Sequence, residues 1–399
     1  MTEKNKSPLT APKKTPSPTT DLVHKGRAPH DNEGFINPPV YRGSTVLFKT
    51  LADLKAPTQT YTYGRRGTPT TTALAQAICH LEGGASTVLT ASGLQAVTTA
   101  ILAFVKTGDH ILMVDTVYQP TRTFCDTHLK RFGIETTYYD PSIGAKVEAL
   151  IKPNTRIIFT ESPGSLTFEL QDIPEITHVA RKHNVWHIMD NTWATPLYFK
   201  ALSHGVDVSI QAATKYIVGH ADAMLGAITA NERATHELNK TKEHLGVCPG
   251  SEETYLGMRG LRTMAVRLDH HFRAGLEIAS WLQSRNEVAR VIHPALDSHP
   301  DHHIWKRDFC GASGLFAITL KPASERALAA MLDDLKFFGM GYSWGGFESL
   351  ILPFNPKKIR TATQWNESGP ALRLHIGLED INDLKSDLAD GFDRLNKSA

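Results

Sequence analysis

A single lysine stands at the end of the apolar run "VSIQAAT", residues 208–214. An ammonium group at the end of a buried strand is costly unless something uses it. Taken alone, Lys215 favours a structural explanation, in which its charged end reaches solvent or pairs with a nearby acid. The functional alternative is a lysine that acts as a nucleophile toward an aldehyde and as a proton carrier.

Polar residues follow three other runs of strand length. Ser92 and Gly93 begin a helical segment, where free N–H groups could bind a phosphate. Tyr118 follows "HILMVD" and could stack on a flat ring. Asp190 ends "VWHIMD", with Thr192 two residues later, and a buried carboxylate there needs a cationic or donor partner. Taken singly, a helix cap is the favoured explanation of Ser92 and packing that of Tyr118, whereas a capping aspartate explains Asp190 as well as a functional role does.

The conjunction of the four groups changes this balance. Ligands of open α/β sheets bind beyond the carboxyl ends of the strands. An anion cradle, an aromatic ring, a carboxylate and a lysine, each after its own strand, together describe a site for pyridoxal phosphate. In such a site Lys215 forms a Schiff base with the cofactor, and Asp190 holds the pyridine nitrogen.

The elements that position these residues alternate between strands and helices, which predicts an α/β fold with a mostly parallel sheet. We expect strands at 86–90, 110–115, 156–162, 185–190 and 207–214, and helices at 93–105, 120–132 and 173–183. A smaller α+β domain is expected from a long amphipathic helix at 261–284, a strand at 313–320, a helix at 323–335, a strand at 372–378 and a terminal helix from Glu379-Asp380.

Length and charge limit the functions open to the chain. Its 399 residues exceed what one hydrophobic core usually serves, so two domains plus an extension are expected. With 43 basic against 41 acidic side chains, the net charge of +2 argues against nucleic acid as a partner. No run of 18 apolar residues could span a bilayer, so no membrane partner is expected either. Residues 1–20 are rich in Lys, Pro, Ser and Thr and are expected to be a disordered tail.

Several other classes of site find no support in the sequence. Four cysteines without a CxxC pair indicate reduced thiols and a cytoplasmic location. Motifs of dinucleotide-binding proteins, P-loop enzymes, zinc proteases and serine hydrolases are absent from the sequence. The nineteen histidines show no metal-ligand spacing, so no metal is expected.

Ordered motifs run from about residue 30 to the end of the chain: "YTYGRRGTPT", "ASGLQA", "DTVYQPTRTFC", "ESPGSLTFEL", "MDNTWATP", "SIQAATKYIVGHADAM", "YSWGGFESLI" and "LRLHIGLED". In these motifs the sequence resembles the Cys/Met-metabolism family of pyridoxal-phosphate enzymes. The resemblance implies an aspartate aminotransferase-type fold, with a seven-stranded, mostly parallel sheet and a smaller C-terminal α+β domain. It divides the chain into an N-terminal extension and arm (1–66, with about 1–30 disordered), a large cofactor-binding domain (67–260) and a C-terminal domain (261–399).

The resemblance also assigns roles by position. Lys215 is expected to form the Schiff base, Asp190 to pair with the pyridine nitrogen, and Tyr118 to stack on the ring and act in catalysis. Further cofactor contacts are expected from Gly93, Leu94, Thr192 and Thr214, and from Tyr63 and Arg65 of a neighbouring subunit. The substrate is expected to contact Arg373, which would grip its α-carboxylate with a bidentate fork, and Ser343, Trp344 and Tyr118.

Two departures from the wider family bear on the reaction. Ala212 stands where other branches often have serine, and Gln119-Pro120 follow Tyr118 where Gly-Thr is common; both favour the β-lyase branch. We therefore expect a carbon–sulfur lyase that cleaves L-cystathionine to homocysteine, pyruvate and ammonia, a step of methionine biosynthesis, with other cysteine S-conjugates as further candidates. The alternatives are γ-elimination or γ-replacement on the same fold and a regulatory protein that binds the cofactor without turnover. A homotetramer, built as a dimer of dimers, is implied.

Overall fold

The computed structural model describes residues 16–398, apart from the side chain of Lys358. The α-helices are α1 (Pro18–His24), α2 (Leu51–Lys55), α3 (Pro69–Glu82), α4 (Gly93–Leu102), α5 (Gln119–Phe124), α6 (Ile173–Lys182), α7 (Thr195–Tyr198), α8 (Glu232–Leu245), α9 (Ser251–Gln283), α10 (His302–Asp308), α11 (Glu325–Leu332) and α12 (Ile381–Lys397). The strands are β1 (Ser86–Thr90), β2 (His110–Val114), β3 (Glu135–Tyr139), β4 (Thr155–Glu161), β5 (Trp186–Asp190), β6 (Val208–Gln211), β7 (Gly226–Ala230), β8 (Val288–Ile292), β9 (Leu315–Leu320), β10 (Phe338–Gly339), β11 (Ser349–Phe354) and β12 (Ala371–His375).

A seven-stranded sheet carries the polar residues predicted to act together. Its strand order is β1-β7-β6-β5-β4-β2-β3. The strands from β6 to β3 are parallel, whereas β7 runs antiparallel to both of its neighbours. All five residues of β2 are buried, as expected of a strand covered on both faces. The predicted mostly parallel sheet is confirmed.

A second sheet, of five strands, forms the smaller α+β unit, in the order β10-β11-β12-β9-β8. Its strands pair antiparallel except for β10 with β11. Phe316, Leu374 and Phe392 are fully buried in the core between this sheet and the helices α11 and α12. Helix α9 joins the two sheets, because Met264 packs in a core beside the large sheet and Ile278 packs in the core of the small one.

Most of the predicted strands match those of the structure to within a few residues, but four expectations differ. The long helix expected at 261–284 begins ten residues earlier, at Ser251. The strand expected at 207–214 ends at Gln211, because residues 212–219 form a turn. The helix expected at 120–132 ends at Phe124 and continues as a π-helical turn at Cys125–Leu129. Strands β3 and β7 were not predicted: β3 is polar at its start, and β7, "GAITA", has one large apolar side chain.

The N-terminal region differs from the expectation of disorder over residues 1–30. Residues 1–15 lie outside the described residues, but Pro18–His24 form α1, with Leu22 buried. Arg262 fastens this helix to α9, since its Nη1 donates to the carbonyl oxygens of Leu22 and Lys25 at 2.6 and 2.8 Å. The expected domain boundary after residue 260 falls inside α9, and this division of the chain stays a prediction. From residue 16 to 398, no helix combines the length and apolar character that crossing a membrane requires.

Candidate active site

Lys215 lies in the turn that follows β6, at the carboxyl edge of the large sheet. The carbonyl of Ala212 accepts the Lys215 N–H at 2.9 Å, and the Lys215 carbonyl accepts the Gly219 N–H at 2.7 Å. The Lys215 Nζ donates to Ser343 Oγ at 2.6 Å and lies 5.2 Å from the centre of the Trp344 ring. Within residues 16–398 Lys215 has no ion pair, so pairing with an acid does not explain it.

The amine of Lys215 binds its proton less tightly than an ordinary lysine does. Burial, and then the nearby Arg373 charge, lowers the pKa of its ammonium group from 10.5 to about 8, although the Asp190 charge opposes both. A neutral amine is therefore accessible close to physiological pH, as a nucleophile or a general base requires.

Asp190 ends β5, beside the turn that carries Lys215. Its Oδ1 accepts the N–H of Thr192 at 3.0 Å and the hydroxyl of Thr192 at 2.5 Å. The Thr192 Oγ1 in turn accepts the Ala212 N–H at 2.8 Å, which ties the carboxylate to the segment leading to Lys215. Burial raises the pKa of Asp190, although the bonds from Thr192 and the Lys215 charge oppose the shift. A buried carboxylate with one neutral partner is a site that a cation would stabilise.

Glu161 is a second carboxylate at this edge, and the sequence analysis did not single it out. It ends β4 in register with Asp190 on β5. Its Oε2 accepts the N–H of Tyr118 at 2.7 Å, so Glu161 fixes the start of α5. Burial, and then the Asp190 charge, raises the pKa of Glu161 well above its ordinary value. The rule that identified Asp190, an acid ending an apolar run, would have identified Glu161 too.

Tyr118 stands at the mouth of this edge and keeps 46% of its surface exposed. Burial of the rest raises the pKa of its phenol, Glu161 and Asp190 raise it further, and Arg373 lowers it. The phenol therefore lies within electrostatic reach of both the aspartate and the arginine. Tyr118 remains protonated at neutral pH.

The start of α4 completes the edge with backbone donors. Ser92 caps the helix by accepting the Gln95 N–H at 3.1 Å, and no acceptor within residues 16–398 takes the N–H groups of Gly93 and Leu94. A Cβ on Gly93 would lie 2.5 Å from the Ala212 Cβ, so this helix start packs directly on the turn before Lys215. Free N–H groups at a helix N-terminus suit an anion.

Thr214, the residue before Lys215, forms hydrogen bonds with the backbone of Leu225. Its Oγ1 accepts the Leu225 N–H at 2.9 Å and lies 3.1 Å from the Leu225 carbonyl, which it reaches as a donor. In this arrangement the hydroxyl closes the loop between β6 and β7. Its contact with a phosphate stays a prediction.

Arg373 approaches from β12 of the small sheet. Its Nη2 donates to the Ser343 carbonyl at 3.0 Å, and the Ser343 hydroxyl accepts from Lys215. Burial lowers the pKa of Arg373, and Tyr118 and Tyr342 oppose the shift, so the guanidinium keeps its charge. The structure thus brings Lys215, Ser343, Trp344 and Arg373 together.

Tyr63 and Arg65 do not join this group within the chain. Arg65 Nη1 donates to the Glu243 carbonyl at 3.2 Å, and Tyr63 forms an isolated bridge with Thr45. Both line a separate cleft of about 570 Å³ that also includes Lys242 and is lined by none of the residues around Lys215. Within residues 16–398 no group of three His, Cys, Asp or Glu side chains could hold a metal ion.

The comparison with protein families places the chain in one of them. The profile described as Cys/Met metabolism PLP-dependent enzyme matches residues 19–393. The chain belongs to this family, and its fold is that of a pyridoxal-phosphate enzyme.

Relatives over nearly the whole chain carry two kinds of name. A protein of Rhizobium johnstonii, 54% identical over 377 residues, is provisionally named a cystathionine beta-lyase; the match covers 94% of this chain and 95% of that protein. The Escherichia coli protein named cystathionine beta-lyase MetC is 45% identical over 387 residues, with 94% and 98% covered. A Wolbachia pipientis protein named L-alanine/L-glutamate racemase is 41% identical over 390 residues, with 94% and 96% covered.

A solved structure shares the whole architecture. Cystathionine gamma synthase from Xanthomonas oryzae pv. oryzae, in complex with aminoacrylate and cysteine, superposes with a TM-score of 0.89 at 27% identity. The superposition covers 97% of this chain and 100% of that one. Proteins that share this fold therefore have different enzyme names.

Proposed function

We propose that the chain catalyses β-elimination of L-cystathionine, releasing homocysteine, pyruvate and ammonia. The observation that carries the proposal is the position of Lys215, whose pKa is lowered to about 8 and whose Nζ lies beside Ser343 and the Arg373 group. The names of the Rhizobium and Escherichia coli relatives support the choice of substrate.

The residues at the sheet edge fit pyridoxal phosphate. Lys215 would bind its aldehyde carbon covalently, Asp190 would hold its pyridine nitrogen in the protonated form, and the free N–H groups of Gly93 and Leu94 would face its phosphate. The observation behind this fit is a buried carboxylate without a cationic partner in residues 16–398, next to an amine that loses its proton easily. When bound, the cofactor supplies an electron sink for the bond that breaks at the substrate Cα.

Two side chains of the protein would bind the substrate and transfer the proton. Arg373 would bind the substrate α-carboxylate through its guanidinium fork. Lys215, freed as a neutral amine, would take the proton from Cα and return it to the sulfur as the Cβ–S bond breaks. The remaining three-carbon enamine takes up water and separates into pyruvate and ammonia, so atoms and charge balance.

Product analysis tests the proposal. Purified protein loaded with pyridoxal phosphate is mixed with L-cystathionine, and the keto acid and thiol are identified by mass spectrometry. We expect pyruvate and homocysteine in equal amounts. Release of 2-oxobutyrate and cysteine would establish γ-elimination instead, the alternative that the cystathionine gamma synthase structure keeps open.

Racemisation is a second candidate, favoured by the Wolbachia relative's name. It needs proton removal and return at the same carbon, and Lys215 could serve on one face of the substrate. Incubation with L-alanine and a chiral assay for D-alanine checks this activity. The regulatory alternative would be supported by cofactor binding without keto acid or racemised product.

We also propose that a neighbouring subunit completes each site, in at least a dimer and by resemblance a tetramer. Tyr63 and Arg65 line a cleft apart from Lys215, and exposed apolar side chains of the arm, Phe35, Ile36, Leu47, Leu51 and Leu54, offer a surface for a second copy. Mixing and reassociating two inactive variants, Lys215→Ala and Arg65→Ala, should restore part of the activity, because hybrid dimers contain one intact site. No restored activity would count against a shared site.

A cytoplasmic location is part of the same proposal. Each of the four cysteines, Cys79, Cys125, Cys248 and Cys310, is free of a disulfide. Reduced thiols suit a reducing compartment. Cell fractionation with detection of the tagged protein checks this location.

A further inference from the structure

His375 is a buried side chain close to the site that the proposed mechanism does not use. It lies on β12 two residues after Arg373, so the two side chains share one face of the strand. Leu372 and Leu374, on the other face, pack into the small core. The imidazole of His375 is fully buried between its strand and the segment 343–346, which we call the serine loop.

A hydrogen bond joins His375 to the serine loop. The N–H of Gly345 donates to the Nε2 of His375 at 3.1 Å. The same Nε2 lies 3.3 Å from the carbonyl oxygen of Gly346, to which it donates in the other tautomer, and the Nδ1 has no partner in the described residues. In either tautomer the Nε2 therefore bonds the backbone of the serine loop. Burial, and then the His271, Arg373 and Lys215 charges, holds the pKa of His375 well below its ordinary value although the Gly346 carbonyl opposes the shift, so the ring stays neutral.

The serine loop has little freedom to move. Ser343 and Gly345 have φ values of +81° and +83°, a region that a serine adopts only when its surroundings hold it there. A Cβ on Gly345 would lie 3.1 Å from the Cα, Cβ and carbonyl carbon of Lys215. The loop backbone therefore packs directly on the backbone of Lys215. A shift of the loop would move the hydroxyl of Ser343 relative to the Lys215 Nζ.

Two residues of β12, Arg373 and His375, hold the serine loop. Substrate binding in the proposed reaction would break the contact that Arg373 makes. Arg373 donates to the Ser343 carbonyl at 3.0 Å, but its fork is needed for the substrate carboxylate. His375 faces the loop backbone and is too buried to meet substrate. Of the two β12 contacts, it is the one that remains when Arg373 engages a ligand.

We infer that His375 is a positioning residue, which holds the serine loop through the Gly345 N–H and thereby keeps Ser343 and Trp344 against Lys215. The inference rests on the proposed role of Lys215 as the proton carrier. It concerns the geometry around that amine, and it assigns no contact between His375 and the reacting atoms.

Two variants separate the hydrogen bond from the volume of the ring. His375→Gln keeps an acceptor close to the Nε2 position, whereas His375→Leu removes it at similar bulk. We expect kcat for cystathionine to fall by up to about 100-fold in His375→Leu, the cost of misplacing a catalytic group, with a smaller change in KM. His375→Gln should stay close to wild type. If His375→Leu does not fold, His375→Asn, whose shorter side chain withdraws the acceptor, replaces it.

A second readout does not depend on turnover. Deuterium uptake by a peptic fragment spanning residues 343–347, measured by mass spectrometry, should be faster in His375→Leu than in wild type and unchanged in His375→Gln. This measurement still tests the loop contact if wild-type protein releases no pyruvate from cystathionine, an outcome that would refute the proposed function alone.

His293→Leu is the matched control. His293 is equally buried and accepts one backbone N–H, from Ala295 to Nδ1 at 3.1 Å, but it does not contact the serine loop. We expect His293→Leu to lose stability while kcat and the uptake by residues 343–347 stay unchanged. Equal kcat in His375→Leu and His293→Leu, or equal damage in His375→Gln and His375→Leu, would overturn the inference.

Discussion

The carboxyl edge of the large sheet and the serine loop serve the same amine by different means. Asp190 ends β5 and Lys215 follows β6 by four residues, so the strands themselves place both groups. Ser343 follows no strand of that sheet; its contact with Lys215 spans 128 residues of sequence and depends on the small sheet. The edge is built by local chain geometry, and the loop is held by long-range packing.

This difference separates the residues that carry out the reaction from the residues that set its efficiency. Groups at strand ends keep their relative positions as long as the parallel sheet is intact. A loop held by two side chains of another sheet can shift when either contact changes. We therefore expect substitutions at the sheet edge to abolish the reaction and substitutions on β12 to change its efficiency.

The largest effect is expected at Lys215. Lys215→Ala removes the amine that binds the cofactor and carries the proton, so kcat/KM should fall by at least about 10⁴-fold. The visible absorbance of the loaded protein should disappear as well. Lys215→Arg, the control that keeps the charge, should lose the same absorbance because a guanidinium does not form the bond to the aldehyde. A retained band in either variant would contradict the assignment.

Asp190→Asn should have the next largest effect. The amide keeps the shape of the carboxylate but cannot hold a protonated pyridine nitrogen by charge, so we expect kcat to fall about 100- to 1,000-fold. The cofactor should remain bound through Lys215, which an unchanged borohydride-trapped adduct on that residue would show. Wild-type kcat in this variant would remove Asp190 from the catalytic group.

Arg373→Lys tests the contribution of β12, the strand that holds the serine loop. The lysine keeps one positive charge but loses the fork, which should cost about 1.5 to 3 kcal/mol in kcat/KM, mainly through KM. Steady-state kinetics with L-cystathionine measures the split. A change confined to kcat would mean that Arg373 acts on the serine loop and does not bind the substrate carboxylate.

The same division decides what could be predicted from the sequence. Lys215 and Asp190 were found because each follows an apolar run, which the strand pattern alone reveals. Ser343, Trp344 and Arg373 were identified by resemblance alone. No local pattern in "YSWGG" shows that this segment contacts Lys215 at the edge of the large sheet. His375 was missed entirely: its partner is a backbone N–H 30 residues away, and a buried histidine has no sequence signature.

The missed elements have equally local causes. Helix α8 is largely polar, and β7 has only one large apolar side chain, so neither shows the apolar pattern that a prediction needs. The strand predicted at 207–214 was too long because "AAT" continues the apolar composition into the turn. The turn is set instead by Leu225, which bonds Thr214 from the start of β7.

A smaller effect is expected at the threonine that connects Asp190 to the turn. Thr192→Val removes the hydroxyl that donates to Asp190 and accepts from Ala212, so kcat/KM should fall about tenfold, the value of one hydrogen bond to a charged group. Thr192→Ser restores the hydroxyl and serves as the control. Equal activity in the valine and serine variants would contradict this contribution.

The smallest expected change is a shift in the pKa of Lys215. Measuring it tests the sheet edge and β12 together. In cofactor-free protein, acetylation of Lys215 requires its neutral form, because an ammonium group is not a nucleophile. Since the folded pKa is about 8, below the ordinary 10.5, the acetylation rate should rise with pH and level off above about 8. Mass spectrometry of the acetylated peptide gives the midpoint.

Substitutions on the two sides should move that midpoint in opposite directions. The Arg373 charge lowers the pKa of Lys215 and the Asp190 charge raises it. Arg373→Leu should therefore shift the midpoint to higher pH, and Asp190→Asn should shift it to lower pH. Shifts of the same sign would mean that the variants act through altered burial of Lys215, and charge would not be the link between the sheet edge and β12.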